Sequence, residues 1–350
     1  MFVRPRVLSI LTTRRCTAAC DNCCVGSSPR ATGSIPVTRI HALIDEAARV
    51  ASFERIVFTG GECFLLGGEL DALIAHAHGL GFDTRAISNG YWAVTGRAAR
   101  ERVTALRTAG LDEIVFSTGV FHQRFIPVDR IVHAARATTR AGIPTRITIE
   151  DCDQSQFDDR SLRTDLATAL EAGMLAIAHD PWIEDAAARS GTRLTHHRLR
   201  ETGRARPTGG CIKVLTTLSV TPAQELIACC GFPLEESPGL RIGSVAERPL
   251  DEVIRDAPND LLKMFLHVAG PAGIAEFIAG YEPDYRLPGN PVSLCDACIA
   301  LQRDARAMRV AADHVAAIAP SIVERFVAAQ TSFVLPRATR HRTHTTEGVT

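Results

Sequence analysis

Six short apolar runs alternate with amphipathic stretches between residue 6 and about residue 178, and this alternation limits the folds open to the chain. The runs are rich in β-branched and aromatic residues, which favour strands. They cover residues 7–11, 55–59, 84–88, 113–117, 145–149 and 175–178. Six strand–helix units predict an α/β domain with parallel strands, which is either an open, partial (β/α) barrel or a doubly wound sheet. The periodicity by itself does not choose between the two.

The stretches between the runs carry apolar residues at helical spacing. The three clearest sets are Ile40, Leu43, Ile44, Ala47 and Ala51, then Leu70, Leu73, Ile74 and Ala77, then Ile131, Val132 and Ala135. Gly110, Gly142 and Gly173 each follow a helical pattern, at the place where a left-handed C-cap is expected. Each strand should therefore be followed by a helix that ends sharply.

Charge and hydropathy exclude two kinds of partner. The chain has 39 basic and 39 acidic residues, so no net field attracts nucleic acid or an anionic membrane. No run approaches the roughly 20 consecutive apolar residues of a membrane span, and the N-terminus lacks a secretory hydrophobic region. We therefore expect a cytoplasmic protein. In a reducing compartment, its 11 cysteines indicate metal binding rather than disulfides.

Cys16, Cys20 and Cys23 follow the first predicted strand at C-x3-C-x2-C spacing. Three thiolates at these intervals can bind three irons of a cubane [4Fe-4S] cluster, whereas a structural cluster normally takes four cysteines. The fourth iron then keeps open positions for an outside ligand. Cys24 follows at once and is an alternative third ligand. In a parallel barrel the functional residues lie at the carboxyl ends of strands, where this triplet falls.

Polar and glycine-rich tripeptides end the next three predicted strands. These are Gly60-Gly61-Glu62, Ser88-Asn89-Gly90 and Ser117-Thr118-Gly119. Two glycines let the backbone approach a ligand closely, and a carboxylate beside them can accept hydrogen bonds from an ammonium group. Alone, a Gly-Gly-Glu sequence is more often only a turn. Its place one strand–helix unit after the cysteine triplet indicates a shared site.

The cysteine triplet and Thr59-Gly60-Gly61-Glu62 together resemble the signature of the radical S-adenosylmethionine (SAM) enzymes. This resemblance implies a partial (β/α)6 TIM-like barrel with a SAM-binding [4Fe-4S] cluster. It also implies that the SAM amino group is held at Gly60, Gly61 and Glu62. Polar residues at the next two strand ends, among them Ser88, Asn89 and Ser117, would contact the ribose and carboxylate of SAM.

Three positions depart from that family's pattern. Asn22 stands where an aromatic residue usually precedes the third cysteine, and Cys63 stands where proline commonly follows the glutamate. Gly119 ends the fourth strand, which in relatives often carries Ser-x-Asp. The ribose contact of that aspartate therefore has no counterpart at position 119.

Two side chains near this site are candidates for catalysis. Cys63 can act as a hydrogen-atom donor, and His122 follows the fourth strand, where it can face a substrate. Each also has a simpler interpretation. Cys63 can be a small packing residue, and His122 can be a hydrogen-bonded loop residue.

Five later cysteines predict a second metal site, formed by Cys211, Cys229 or Cys230, Cys295 and Cys298. Between them, Arg241-Ile242-Gly243-Ser244-Val245 and Leu250-Asp251-Glu252-Val253-Ile254 resemble segments of SPASM and twitch domains, which follow the radical SAM barrel and carry auxiliary clusters. No cysteine follows Cys298, so the resemblance implies the single-cluster twitch type with one auxiliary [4Fe-4S] cluster. Zinc held by the same thiolates and loosely packed free thiols are the alternatives.

The predicted organisation has four parts. A radical SAM partial barrel covers residues 1–200, and a small cysteine-rich auxiliary-cluster domain of SPASM/twitch type covers residues 201–300. A C-terminal helix covers residues 301–332, and a disordered tail covers residues 333–350.

The resemblance implies reductive cleavage of SAM to a 5′-deoxyadenosyl radical, fed by a reductant such as flavodoxin or ferredoxin. Proteins of this layout often modify ribosomally made peptides, which is the activity we expect. A twitch-type dehydrogenase acting on a carbohydrate or aminocyclitol is the alternative. Only about five residues precede the first strand, so a separate leader-peptide-binding protein would assist. An iron–sulfur or zinc scaffold without turnover is the non-enzyme interpretation.

Overall fold

A computed structural model of the chain describes residues 3–21, 23–151, 157–181, 208–230, 238–257, 259–289, 291 and 293–332. The predicted boundary at residues 200 and 201 and the predicted tail over residues 333–350 lie outside these residues. So do Asn22 and its place in the family pattern.

The described strands form one sheet of nine, and the first six match the predicted runs closely. They are β1 (Val7–Leu11), β2 (Arg55–Thr59), β3 (Asp83–Ser88), β4 (Glu113–Thr118), β5 (Thr145–Asp151), β6 (Leu175–Pro181), β7 (Thr217–Val220), β8 (Glu225–Ile227) and β9 (Arg241–Ser244). Their order in the sheet is β6-β5-β4-β3-β2-β1-β7-β8-β9. All neighbouring pairs from β6 to β7 in this order are parallel. The pairs β7–β8 and β8–β9 are antiparallel.

The strand order decides between the two predicted architectures. A doubly wound sheet reverses its strand order at a switch point and covers both faces with helices. Here the order from β1 to β6 never reverses, so crossovers of one hand put all the connecting helices on the same face. The sheet is open, with β6 at one edge and β9 at the other. The predicted partial TIM-like barrel is confirmed.

Helices of the described residues lie between the strands and after them. They are α1 (Val37–Ala48), α2 (Gly68–Gly79), α3 (Gly96–Thr108), α4 (Val120–Gln123), α5 (Val128–Arg140), α6 (Arg160–Asp165), α7 (Ala167–Glu171), α8 (Leu250–Asp256), α9 (Leu261–Ala279), α10 (Leu294–Arg303), α11 (Ala305–His314) and α12 (Ala319–Ser332). Gly110, Gly142 and Gly173 have positive φ angles of 87°, 75° and 68°, as C-caps require.

The two faces of the barrel sheet bury different side chains. Alternate residues of the strands, such as Ile10, Phe58 and Phe116, join the main core under the helices. The opposite, concave face carries a small separate cluster of Val7 and Val57 with Ile87 packed against it. Side chains at the carboxyl ends of the strands on this concave face are therefore placed to meet a ligand.

The region after residue 208 continues the same sheet. β7 pairs with β1 in parallel, with Ser9 opposite Ser219. The main hydrophobic core also runs without interruption from Leu8 to Leu218 and Phe326. The described part of the predicted auxiliary domain thus shares a core with the barrel. The division into two domains stays a prediction.

The C-terminal part contains more helix than the sequence patterns predict. α9 follows no predicted pattern, and it is kinked at Gly270, which has a φ of 69° and precedes Pro271. The described part of the predicted helix over residues 301–332 consists of the end of α10 and of α11 and α12. A 3-10 turn, Val315–Ile318, joins the last two.

One described helix, α9, is long and apolar enough to cross a membrane. Half of its most apolar window is buried inside the fold. The core helix of a globular protein meets the same criteria, so α9 is only weak support for a membrane span.

Candidate functional site

The loop after β1 presents the three predicted cluster ligands. The Cys16 N–H donates to the Ser28 carbonyl at 3.1 Å, which joins the two ends of the loop. The Cys23 N–H donates to the Cys20 carbonyl at 3.1 Å. Two thiols accept backbone donors, Cys16 from Ala18 at 3.4 Å and Cys23 from Ser27 at 3.2 Å. N–H donors aimed at sulfur stabilise thiolates, as metal ligands require.

The three thiols interact electrostatically. Burial, together with smaller contributions from the charges of Glu62 and Cys23, raises the pKa of Cys16 to about 11. Burial also raises the pKa of Cys20, with added repulsion from Cys23 and Cys16. Buried thiols this close together favour the protonated form unless a cation offsets their charge. An iron–sulfur cluster provides such an offset, so the donor set fits one.

Cys24 lies in different surroundings from Cys23. It packs against the buried side chain of Ile299 in α10, which also contacts Cys295 of the second cysteine group. Cys23, in contrast, acts electrostatically on both Cys16 and Cys20. These surroundings favour Cys23 over Cys24 as the third ligand, which we keep as a proposal.

A single metal ion fits these residues less well than a cluster. Within the described ranges, no three histidine, cysteine, aspartate or glutamate side chains are arranged to hold one metal ion. A cubane cluster makes no such demand, because each thiolate binds a different iron.

The Gly60-Gly61 turn lies directly against the cysteine loop. The Gly61 N–H donates to the Thr13 carbonyl at 2.6 Å, and the Glu62 N–H donates to the Arg15 carbonyl at 3.0 Å. A Cβ at Gly60 would stand 2.6 Å from the Thr13 carbonyl oxygen, and one at Gly61 would overlap the Arg15 carbonyl. The two glycines thus allow close backbone packing between β2 and the loop that carries the cysteines, an explanation beyond the predicted approach to a ligand.

Replacing Gly61 with alanine should lower the free energy of unfolding by roughly 1–3 kcal/mol, because the new Cβ overpacks a backbone contact. Gly68→Ala is the matched control, since a Cβ there meets no atom within 4 Å. Urea denaturation measures both. Equal midpoints for the two variants would contradict the close packing of the turn.

Glu62 is buried, with 1% of its surface exposed, and its carboxylate joins two strand ends. Oε1 accepts from the Phe64 N–H at 3.1 Å, and Oε2 accepts from the Asn89 N–H at 2.8 Å. Burial raises the pKa of Glu62 to about 7, although these donors and the Ser88 hydroxyl oppose the shift. The carboxylate is thus already committed to backbone donors, and the predicted contact with an ammonium group would use its remaining lone pairs.

Glu62 should make stability depend on pH. Its folded-state pKa of about 7 lies above the reference value of 4.5, so the folded protein binds the extra proton. The contribution of Glu62 to the free energy of unfolding is therefore fully present below about pH 4.5. It is lost as the pH rises through 7, which lowers the free energy of unfolding by about 3 kcal/mol. Denaturation from pH 5 to 8 should show this fall in the wild type and a flatter profile in Glu62→Gln. Parallel pH profiles of stability for the wild type and Glu62→Gln would contradict the raised pKa of Glu62.

Ser88 and Asn89 at the end of β3 form an internal network. The Ser88 hydroxyl accepts from the Gly90 N–H at 3.0 Å and from the Trp92 indole at 3.1 Å. The Asn89 amide donates to the Thr17 hydroxyl at 3.0 Å and to the Cys16 sulfur at 3.4 Å. Asn89 thus connects the first cysteine to the Glu62 turn. For both residues, SAM binding remains a proposal.

Ser117 lies on the concave face. Ile87 pairs with Val115, and Ser117 pairs with Thr148, so strand alternation puts these side chains on one face of the sheet. Ser117 is half-buried. Its place at the rim agrees with a contact to a ligand, which stays a prediction.

Cys63 lies in the core rather than in the site. Its side chain is fully buried, and its thiol lies 3.3 Å from the Ile87 carbonyl and 3.5 Å from the Phe58 carbonyl. A hydrogen-atom donor must reach its substrate, which these surroundings prevent. The structure favours the packing interpretation, and we do not carry Cys63 forward as catalytic.

The residue that the sequence analysis missed is Glu150, near the end of β5. It is buried, and it accepts from the Phe121 N–H at 2.9 Å and contacts His122 Nδ1 at 3.2 Å. Its charge also acts on Cys20. The sequence signal was available, because a carboxylate directly follows an apolar strand at the catalytic end of a barrel.

The second cysteine group is brought together from three distant segments. Cys295 lies in the first turn of α10 and Cys298 follows directly after that turn. The N-cap of α10, Ser293, accepts from the Asp296 N–H at 3.1 Å. The positive end of a helix dipole stabilises thiolates there. Burial raises the pKa of both cysteines, and repulsion from Cys229 and Cys211 adds to it.

Cys211 and Cys229 are anchored by the C-terminal part of the fold. The Cys211 N–H donates to the Leu266 carbonyl of α9 at 3.0 Å, and the Ser219 hydroxyl of β7 donates to the Cys229 carbonyl at 2.6 Å. Burial raises the pKa of Cys211, with a contribution from Cys229. The pKa of Cys230 is raised first by a hydrogen bond with Cys229 and then by burial. The group thus contains five thiols, one more than a four-cysteine cluster would use.

The profile of the radical SAM superfamily matches residues 10–150 of this chain. The matched segment spans β1 to β5 and includes the first cysteine group, the Gly60–Glu62 turn and Glu150. It is a radical SAM domain, the kind of enzyme domain that carries a [4Fe-4S] cluster and binds SAM.

Among individual proteins, the chain is similar to "Putative peptide biosynthesis protein YydG" of Bacillus subtilis (strain 168). They are 30% identical over 121 residues, which cover 35% of this chain and 38% of that protein. The match thus spans well under half of the relative's length.

Two solved structures are similar at low identity. SuiB of Streptococcus suis bound to S-adenosylmethionine is 15% identical, with a TM-score of 0.47 over 73% of this chain and 66% of that one. anSMEcpe with bound AdoMet and Cp18Cys peptide is 13% identical, with a TM-score of 0.48 over 91% of this chain and 99% of that one.

Proposed function

We propose that this protein is a radical SAM enzyme that reductively cleaves SAM and modifies a ribosomally made peptide by C–H abstraction. The observation that carries the proposal is the gathering of Cys16, Cys20 and Cys23. Their half-buried, mutually repelling thiols lie beside the Gly60–Glu62 turn, within a segment that matches the superfamily.

The described residues have clear tasks in this chemistry. Cys16, Cys20 and Cys23 would hold three irons, and the N–H groups of Ala18 and Ser27 would support the sulfurs. When bound, the reduced cluster supplies the electron that breaks a sulfur–carbon bond of SAM. The protein positions the cofactor and excludes water, because a primary carbon radical reacts with whatever lies next to it.

The turn and the strand ends would position SAM. Glu62 and Asn89 brace the Gly60-Gly61 turn against the cysteine loop, which leaves backbone groups of the turn to meet the amino group of SAM. Ser117 on the concave face would contact the ribose or the carboxylate.

Cys211, Cys229 or Cys230, Cys295 and Cys298 would hold an auxiliary [4Fe-4S] cluster. The helix dipole at Cys295 and the electrostatic coupling of these thiols support one shared site. Such a cluster gives a substrate radical a one-electron acceptor, which favours oxidation or bond formation.

The similarity to YydG, whose name refers to peptide biosynthesis, supports a peptide substrate. A reductant of the flavodoxin or ferredoxin class and a separate leader-peptide-binding protein would complete the system.

The test is anaerobic reconstitution with iron and sulfide, reduction by dithionite and incubation with SAM. Release of 5′-deoxyadenosine is expected, and its absence would favour a non-catalytic scaffold. Mass spectrometry of a candidate precursor peptide then checks the substrate. A changed aminocyclitol or carbohydrate, with an unchanged peptide, would overturn the peptide assignment while leaving SAM cleavage intact.

A further inference from the structure

Glu150 and His122 form a carboxylate–imidazole pair at the rim of the barrel. Glu150 lies two residues after Thr148, which pairs with Ser117, so strand alternation puts Glu150 on the concave face. His122 lies in α4, directly after β4, and its Nδ1 stands 3.2 Å from Glu150 Oε2. The pair thus occupies the end of the barrel that carries the cysteine loop.

Gly119 makes room for this pair. Its φ is 137°, and a Cβ at this position would overlap the Glu150 carboxylate. A side chain at position 119 would therefore compete with Glu150 for the same space. Gly119 leaves that space to the Glu150 carboxylate, which reaches His122.

The hydrogen bonds fix the tautomer of His122. An ionised carboxylate can only accept hydrogen bonds, and Glu150 accepts one at Oε1 from the Phe121 N–H at 2.9 Å. Nδ1 of His122 must then carry a proton and donate it to Oε2. Nε2 has no hydrogen bond to the described residues, and the side chain is 19% exposed. The unprotonated nitrogen is thus open to a ligand.

An ion pair between Arg124 and Asp21 holds α4 against the cysteine loop. Arg124, which follows α4, donates to Asp21 at 2.6 Å, and its guanidinium lies over the Phe121 ring at 5.4 Å. Asp21 directly follows Cys20, and the Glu150 charge acts on Cys20. His122 is therefore positioned from two sides. Glu150 of β5 contacts its ring, and the Arg124–Asp21 pair ties α4 to the cysteine loop, beside the site where a radical would form.

We propose that His122 is a general base in this enzyme and that Glu150 is its positioning residue. This inference rests on the proposed function. An S–H, O–H or N–H bond of the substrate breaks, its electron pair stays on the heteroatom, and the proton forms a bond to His122 Nε2. Glu150 balances the charge of the resulting imidazolium. No electron is exchanged with the protein in this step.

His122→Ala and Glu150→Gln test the proposal. Both should release 5′-deoxyadenosine within about threefold of wild type but form product about 100-fold more slowly, as expected when general-base catalysis is lost. Glu150→Gln keeps the acceptor for the Phe121 N–H but presents an amide N–H to Nδ1, which forces the proton onto Nε2. Added imidazole should restore product formation to His122→Ala and leave Glu150→Gln unchanged, which a purely structural role would not produce.

His76→Gln is the matched control, because His76 pairs with Asp45 at 2.7 Å on the outer helices. It should match the wild type in both readouts. Normal product formation by His122→Ala, or failure of imidazole to rescue it, would overturn the proposal. A wild type that releases no 5′-deoxyadenosine would instead overturn the proposed function.

Discussion

Replacing Cys16, Cys20 and Cys23 together with alanine should abolish the release of 5′-deoxyadenosine. The three half-buried thiols share one loop, and each would bind its own iron. The loop offers no replacement ligand of equal placement, because Cys24 is directed to Ile299. Bound iron should fall by about four atoms per chain, while the second group keeps its share. Iron analysis and chromatography of the SAM products measure both effects.

Cys24→Ala is the matched control for this variant. It removes a thiol from the same loop, and it should retain both the cluster and SAM cleavage. Loss of the cluster in Cys24→Ala would make Cys24 the third ligand in place of Cys23. A triple variant that still releases 5′-deoxyadenosine would contradict the proposed cluster site altogether.

Cys295→Ala should leave SAM cleavage largely intact and stop product formation. Cys295 lies at the start of α10 and interacts with Cys229, Cys211 and Cys298, whereas the proposed ligands of the first group all come from the loop after β1. Removing one of four thiolates should release the auxiliary iron, about half of the total. The substrate radical would then have no electron acceptor, so 5′-deoxyadenosine should form without product.

Ile299→Val separates ligation from packing in this experiment. It trims the side chain that touches both Cys24 and Cys295 and should cost about 1 kcal/mol of stability without removing a thiolate. Product formation should persist in Ile299→Val. If this variant fails as Cys295→Ala does, the effect arises from packing. Comparing Cys229→Ala with Cys230→Ala then identifies which of the two adjacent thiols is a ligand.

The barrel was largely predictable because its information is local. All six predicted runs are strands, and the bounds of β1 and β2 agree at every residue. Runs of β-branched and aromatic residues, helical spacing and the three C-capping glycines are each read within a few residues. No local pattern predicts the order of the strands, because barrels and doubly wound sheets are built from the same strand–helix units.

The C-terminal part was less predictable for two physical reasons. α9 contains Gly270, Pro271 and Gly273, which predict a break, yet packing keeps both halves helical around a kink. Gly209 and Gly210 lie against that kink, where a Cβ at Gly210 would overlap the His267 carbonyl. Tertiary contact thus overrides helix propensity there.

In the candidate site, too, the local patterns could be read from the sequence and the long-range contacts could not. The sequence indicated a site at the carboxyl ends of the strands, and the Gly60-Gly61 pair was interpreted as room for a ligand. The structure shows that these glycines also admit the backbone of Thr13 and Arg15. Glu150 was missed because its role depends on Gly119, 31 positions earlier in the chain and opposite it across β4 and β5.

By itself, the sequence determined the strand–helix units, the spacing of both cysteine groups and the turn that follows β2. These features depend on neighbouring residues, whose side-chain periodicity and backbone preferences act over one or two turns of chain. Only the tertiary structure decided the strand order, the convergence of Cys211, Cys229 and Cys295, and the pairing of His122 with Glu150. Such contacts join residues far apart in sequence, so they follow from the register of the sheet and the packing of the core rather than from any local pattern.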